Sequence, residues 1–589
     1  MCGIAGFMLT ERAAPPPEVL DALQRALAHR GPDGTGRHVM PGLGLVHTRL
    51  AIIDLKTGDQ PLFGPNGSVL IANGEIYNYV ELKREFPTER FATESDCELP
   101  LKTYARDGSG FAKPLRGMYA IALADSGTGD VHLARDPFGI KPLYYAEVAG
   151  GVVFASEPQA IVKTGLVKRD ISTKAAIELL QLQFTTGERT IFPGIFRVLP
   201  GETVTLRQGR VTNRSRIAAL PLAPPVALTE DEAIARLDSV LMDSVLVHQR
   251  SDVPYGMFLS GGIDSSALLA CMAKLNDRPV LAFTAGFPGT AAHDERVHAK
   301  HVAKTISAEH IEIEVTEQDF WATLPAIAAA MDDPAADYAT LPTYLLAKEA
   351  ARHVKVVLCG EGGDELFAGY GRYRSALRPR WFGGRPMRRR GLLDGLGVLR
   401  DATGWRDGIE EAEGRVAQAG GTRLQRAQAL DCADWLPNDL LLKVDRCLMA
   451  HGLEGRTPFL DQKVAELAFR LPDGLKIRKD LGKYVLRRWL SRALPEADAF
   501  SRKRGFTVPV AEWIAKRARA LAPLVARSEG IAQICNPERA ESVFTAYGHS
   551  GDKREGTACW QLLFYALWHR IHVQGQAPAG DVMAVLESR

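Results

Sequence analysis

The sequence predicts a chain of two α/β units. The first is an αββα sandwich. The second is a parallel-sheet α/β domain with a helical C-terminal part. Three observations predict this. Up to residue 207, short apolar stretches alternate with polar turns, and 194–207 (GIFRVLPGETVTLR) still reads as strand. From residue 229 to 359, helix-patterned and strand-patterned segments alternate, which implies a parallel sheet covered on both faces. Between them, 208–228 carries Pro221, Pro224 and Pro225 with little periodicity. The expected division is therefore 1–207, a linker at 208–228, and 229–589. A length of 589 residues suits at least two domains, at roughly 150 residues each.

Composition excludes several classes. A formal charge of +2 gives no electrostatic case for nucleic acid or an anionic membrane. The 8 cysteines are scattered without a CxxC pair, which speaks against a disulfide scaffold or zinc ribbon and suits a reducing compartment. No apolar run reaches the roughly 18 residues of a membrane-spanning helix. The start MCGIAGFMLTER lacks the basic and apolar regions of a signal peptide. The expected location is the cytoplasm.

In the first unit, Met1-Cys2-Gly3 opens the chain. Removal of Met1 would make Cys2 terminal, with an α-amine titrating near about 8 and able to move protons to and from the thiol. His29-Arg30-Gly31-Pro32-Asp33, His47-Thr48-Arg49, Ala72-Asn73-Gly74-Glu75, Glu94-Ser95-Asp96 and Arg135-Asp136 follow in order. Together these motifs resemble the glutaminase domain of amidotransferases with an N-terminal cysteine nucleophile, from residue 2 to about 200. The resemblance implies that Cys2 attacks the glutamine carboxamide, with Asn73 and Gly74 as the oxyanion hole. Two such donors are what acyl transfer needs. It further implies that Arg49 clamps the α-carboxylate, that Glu75 and Asp96 hold the α-ammonium and its surroundings, and that Ile53 lines the glutamine site.

In the second unit, Thr229-Glu230-Asp231-Glu232 opens a helix with an acidic first turn. Residues 255–259 form a short apolar stretch suited to a buried parallel strand. Ser260-Gly261-Gly262-Ile263-Asp264-Ser265 then turns into a helix patterned over 267–275. A strand, a glycine turn and a helix N-terminus aim several N–H groups at one point, where they can hold phosphate. Asp264 stands at the mouth of the turn, where a carboxylate can hold magnesium. No Gly-Lys-Ser/Thr follows, so this is not a Walker A loop. It resembles the pyrophosphate loop of enzymes that split ATP into AMP and pyrophosphate. Strands at 280–287, 310–315 and 354–359 and a helix at 294–306 complete the alternation. The strand at 354–359 runs into Cys359-Gly360-Glu361-Gly362-Gly363-Asp364, whose carboxylates should face the ligand crevice at the strand ends.

The whole resembles glutamine-hydrolysing asparagine synthetases over nearly the full chain. That resemblance implies ATP as substrate, Mg2+ held by Asp264 and Asp364, and adenosine near Leu259, Ala285, Cys359 and Gly360. It makes Glu361 the base for attacking ammonia and Lys483, in Gly482-Lys483-Tyr484, a contact to the phosphate of an acyl-adenylate. Lys443-Val444-Asp445-Arg446 and Glu454-Gly455-Arg456 also match the family pattern, the last reading better as a structural ion pair. Aspartate is the implied acyl substrate, yet 335–342 carries no arginine to grip its α-carboxylate. Either another cation serves, or the substrate is another carboxylic acid, of a sugar, peptide or secondary metabolite. A non-catalytic scaffold is disfavoured by the presence of Cys2, Asp264 and Glu361. The partners expected are small molecules, with a homodimer left open.

Three features receive plain readings. His293, His298, His301 and His310 read as a solvated helix face rather than a zinc site. Arg378, Arg380, Arg385 and Arg388–Arg390, with Trp381 and Phe382, read as a local basic surface. Arg502-Lys503-Arg504-Gly505-Phe506 reads as a further basic turn, expected to close over the site. From about 525 onward the sequence carries little signal, and weak order is expected near its end.

Overall fold

The structure is a computed structural model that describes residues 2–291, 294–378, 381, 387–501 and 507–588. The basic turn 502–506, together with Met1, His293, Arg380, Phe382 and Arg385, lies outside the described residues.

The first unit stacks two six-stranded antiparallel sheets. Gly3–Leu9 is central in one, between Gly151–Ala155 and Leu43–Arg49. Val69–Ile76 pairs with Gly117–Asp125 in the other. Successive side chains on a strand point to opposite faces, and the burial follows that rule. Ile71, Ala120 and Leu133 join Ile4, Leu45 and Phe154 between the sheets. Leu70, Ala72 and Ile121 turn outward against Leu99, Leu101 and Phe111. On the far side, helix Pro17–Leu27 lays Leu20, Leu23 and Leu27 over Ala5 and Phe7. That approach needs Gly44, because a Cβ there would lie 2.7 Å from Leu20 Cδ1.

One boundary differs from expectation. Arg210–Arg216 pairs antiparallel with Glu202–Arg207, so the stretch without regular structure is 217–229 rather than 208–228. The strand RVTNRSR is an exposed edge held mainly by backbone hydrogen bonds, so no apolar alternation announces it.

The second unit is a five-stranded parallel sheet, in the order Glu309–Glu314, Leu281–Gly286, Tyr255–Phe258, Val356–Leu358, Glu454–Arg456. The first four strands match the sequence reading, and the fifth was not anticipated. Glu230–His248 and Ile263–Leu275 cover one face together with Met257, Ala282 and Leu358. Glu317–Ala330 and Thr340–Ala350 cover the other with Phe283, Ala285 and Val357. Thr229 and Glu232 form a reciprocal capping box at the start of the domain.

The C-terminal region is not weakly ordered. Helix Lys553–His572 is buried nearly all round over 558–569, Gln561 and His569 included, and places Trp560, Phe564, Leu567 and Trp568 in the largest core. Val582–Glu587 adds Val582, Val585 and Leu586 to it. A helix buried on every side shows no clean apolar stripe, which is why the sequence signal was poor. Among the described residues no helix is long and apolar enough to cross a membrane.

Candidate functional site

The first site forms where the two sheets of the N-terminal unit meet the second unit. Cys2 precedes the central strand Gly3–Leu9, and Asn73-Gly74 lies within Val69–Ile76. The Cys2 backbone N–H donates to Asn73 Oδ1 at 3.0 Å. That bond fixes the amide, because only the oxygen can accept it. Asn73 Nδ2 is therefore turned away from Cys2 N, buried and without a partner. A buried amide donor left unpaired beside a thiol is an arrangement suited to a developing oxyanion. Gly74 is required sterically, since a Cβ there would meet the Met118 carbonyl oxygen at 2.1 Å. Burial pushes the Cys2 thiol up.

Arg49 is nearly buried, and its guanidinium is already shaped around oxygen. Nη1 donates to Asp59 Oδ1 at 2.7 Å and Nη2 to the Asp54 carbonyl at 2.5 Å, with the Ile53 carbonyl farther at 3.5 Å. Asp59 is highly exposed, so its hold on Arg49 is weak and a substrate carboxylate can replace it. Asp96 Oδ2 accepts the Ile76 N–H at 2.6 Å. Burial raises the Asp96 carboxyl to about 6, against the pull of that hydrogen bond. Burial, then the neighbouring Glu454 and Asp96 carboxylates, pushes Glu75 well up.

Glu454 and Arg456 are the ion pair the sequence suggested, at 2.6 Å and fully buried. Their reach is wider than expected. Arg456 Nη2 lies 3.3 Å from Glu75 Oε2 in the first site, while its Nη1 donates to the carbonyls of His248 and Arg250. The Arg456 carbonyl accepts the Cys359 N–H at 2.8 Å, next to the second site.

The second site is a cleft of about 370 Å³ at the carboxyl ends of the parallel strands. Leu259, Ser260, Gly262, Asp264 and Ser265 line it from one strand end, Ala285 from the next. Cys359, Gly360, Glu361 and Asp364 line it from the third. Gly261 is not part of the wall; its N–H donates to Glu295 Oε2 at 3.3 Å. The phosphate-type turn is braced from within. Ser265 Oγ donates to the Ser260 carbonyl at 2.9 Å, and the Gly262 N–H donates to Ser260 Oγ at 3.2 Å.

Asp264 and Asp364 come together as expected. Lys483, 2% exposed, bridges them: its ammonium bonds Asp264 Oδ2 and lies 2.7 Å from Asp364 Oδ1. Two carboxylates that converge on one cation fit a divalent ion of the magnesium type. The nesting depends on glycine. A Cβ at Gly363 would sit 2.5 Å from Asp264 Oδ1, and one at Gly369 would sit 1.7 Å from Asp364 Oδ1. Burial pushes the Glu361 carboxyl up, while Lys443 pulls it the other way. A raised carboxyl suits a group that must accept a proton near neutral pH.

Sequence reasoning missed the pairing of Lys443 with Asp337, 2.7 Å apart on the same cleft wall. Both lie in segments it had singled out, but 106 positions separate them and nothing local joins them. Among the described residues, which leave out His293, no group of three or more His, Cys, Asp or Glu side chains is placed to hold an ion.

Comparison with known proteins covers both halves of the chain. A family model described as "Asparagine synthase" matches residues 236–570, and one described as "Glutamine amidotransferase domain" matches 1–216. A "Putative asparagine synthetase [glutamine-hydrolyzing]" of Mycobacterium tuberculosis (H37Rv) is 35% identical over 98% of each chain. "Asparagine synthetase [glutamine-hydrolyzing] 1" of Bacillus subtilis is 32% identical, covering 98% of this chain and 97% of its own. "Asparagine synthetase B [glutamine-hydrolyzing]" of Escherichia coli K12 is 30% identical over 84% of this chain and 79% of its own. With both its thiol site and its carboxylate-lined cleft inside the matched regions, the chain belongs to the asparagine synthase family and carries the family's glutamine amidotransferase domain.

Proposed function

We propose that the protein is a carbon–nitrogen ligase that converts aspartate and glutamine to asparagine and glutamate at the expense of ATP. The observation that carries this reading is the convergence in the second site of Asp264, Asp364 and Lys483 beside Glu361, in a chain whose first site pairs Cys2 with a free amide donor.

At the first site Arg49 takes the α-carboxylate of glutamine and Asp96 its α-ammonium. The Cys2 sulfur attacks the side-chain carbonyl carbon while Asn73 Nδ2 and the Gly74 N–H stabilise the oxyanion. Ammonia leaves, and water hydrolyses the thioester to glutamate. Removal of Met1 turns Cys2 N into an amine that can carry the proton.

At the second site the aspartate β-carboxylate attacks the α-phosphorus of ATP and pyrophosphate leaves. Leu259, Ala285 and Gly360 border the nucleoside, and the Ser260–Ser265 turn faces the pyrophosphate. Magnesium held by Asp264 and Asp364 would supply neutralisation of the phosphate charge. Lys483 is left to contact the α-phosphate as those carboxylates take the metal. Ammonia then attacks the acyl carbon of β-aspartyl-AMP, Glu361 takes its proton, and AMP leaves.

The test is product stoichiometry with ATP, Mg2+, aspartate and glutamine. Asparagine, AMP and pyrophosphate should form in equal amounts and only with aspartate present. Glutamine hydrolysis without aspartate-dependent pyrophosphate would overturn the substrate assignment. The lack of arginine in 335–342 keeps another carboxylic acid as the second reading, and a panel of acids in the same assay decides between them.

A further inference from the structure

We infer that Asp337 and Lys443 form the recognition site for the α-amino-acid head of the acyl substrate, Asp337 taking the α-ammonium and Lys443 the α-carboxylate. The inference rests on the proposed reaction and names a site that reaction requires.

The cleft wall carries seven charged side chains: Asp264, Glu295, Asp337, Glu361, Asp364, Glu365 and Lys443. Among these described residues Lys443 is the only cation. A substrate whose β-carboxylate is consumed in the reaction still brings a second carboxylate, which needs a fixed positive partner. Lys483 is committed elsewhere, buried between Asp264 and Asp364 at the phosphate end. Lys443 and Glu361 line the same cleft, so the cation shares its wall with the group proposed to take the proton from ammonia.

The pair is also built as the mirror of its ligand. Lys443 is 6% exposed and Asp337 half-buried, with Nζ donating to Oδ2 at 2.7 Å. An α-amino acid presents one ammonium and one carboxylate on the same carbon. Inserting that zwitterion exchanges one ion pair for two without changing the net charge of the cleft. A ligand lacking the ammonium or the carboxylate leaves one half of the pair with its charge displaced and unmatched, which polar sites reject strongly. The two residues come from separate elements. Asp337 lies in the turn before helix Thr340–Ala350, anchored by the Thr340 hydroxyl, which donates to the Asp337 carbonyl at 2.8 Å, and Lys443 lies in helix Leu441–Met449. Rigid supports on both sides suit a specificity site.

The experiment uses the full-length protein with Mg-ATP and ammonium, reading pyrophosphate. Three acids are compared: aspartate, succinate (no α-ammonium) and 3-aminopropanoate (no α-carboxylate). The wild type should prefer aspartate by on the order of 100-fold in kcat/KM over each analogue. Asp337→Asn should collapse the aspartate-to-succinate ratio and leave the aspartate-to-aminopropanoate ratio high. Lys443→Gln should do the reverse, and Lys443→Arg should recover part of the lost ratio. Glutamine hydrolysis in the same preparations reports that each variant is folded. Variants that lower all three acids alike, or leave the ratios as in the wild type, would overturn this site alone. A wild type that makes no aspartate-dependent pyrophosphate would overturn the proposed reaction, and this site with it.

Discussion

In the proposed reaction Asn73 is the residue on which glutamine hydrolysis turns, because its amide is oriented by one buried bond and leaves one buried donor over. Asn73→Ala should lower glutamine hydrolysis by roughly 10²–10³-fold, the usual cost of an oxyanion donor, and leave ammonia-dependent synthesis intact. Steady-state rates with the two nitrogen donors check this. With the α-ammonium role proposed for it, Asp96 should set a pH limit on the same half-reaction. Its carboxyl is raised to about 6 chiefly by burial, so it is ionised above that pH and neutral below. Only the ionised form attracts the α-ammonium of glutamine. The KM for glutamine should therefore rise as pH falls through about 6, and a pH profile with ammonium in place of glutamine should lack that limb. At this scale Cys2, Asn73, Arg49, Asp264 and Glu361 could be quoted from short local motifs, and the roles proposed for them come from the family those motifs resemble. Lys443 and Asp337 could be quoted but not joined, because their pairing is a property of packing between distant segments.

The elements that hold these residues are strand ends and tight turns, and their tolerances are narrow. Gly369 lets the chain pass against the Asp364 carboxylate with no room for a methyl group. Gly369→Ala should displace Asp364 and Lys483, and abolish pyrophosphate formation while glutamine hydrolysis persists. The paired assays on one preparation check this. The capping box at Thr229 is a milder case: Thr229→Ala should cost about 1 kcal/mol of stability, read by denaturant unfolding. Four parallel strands were legible: three as short, mostly buried apolar runs, and Glu309–Glu314 by its alternation of isoleucine with glutamate on an exposed edge. Glu454–Arg456 was not, since two of its three residues are charged, buried as an ion pair that also reaches Glu75 and the carbonyls of His248 and Arg250. The edge strand Arg210–Arg216 failed for the opposite reason: it buries almost nothing, and only its backbone pairing reveals it.

Across the whole molecule the two units are joined by buried charge as well as by a shared core. Arg30 donates to both oxygens of Asp445, at 2.8 and 3.0 Å, and to Glu157 at 2.8 Å. Arg446 continues the network to Asp332 at 2.6 Å, and Arg197 pairs with Asp333 at 2.7 Å. Removing one partner of such a buried pair strands the other, so Arg30→Ala should cost about 3–5 kcal/mol. Thermal unfolding would show that loss, and glutamate should then form in excess of asparagine as the units separate. None of this was visible in the sequence, where Arg30 and Asp445 stand 415 positions apart. The same junction carries Arg456, whose side chain meets Glu75 in one site and whose carbonyl holds Cys359 beside the other. The central claim is that nitrogen released at Cys2 is used at Glu361 within one molecule. It is tested most directly by supplying [amide-15N]glutamine with aspartate, ATP, Mg2+ and unlabelled ammonium in the solution, and weighing the asparagine formed. Asparagine that carries 15N well above the isotopic fraction of the free ammonium is the predicted result. Label diluted to the solution fraction, or no asparagine at all, would contradict the account.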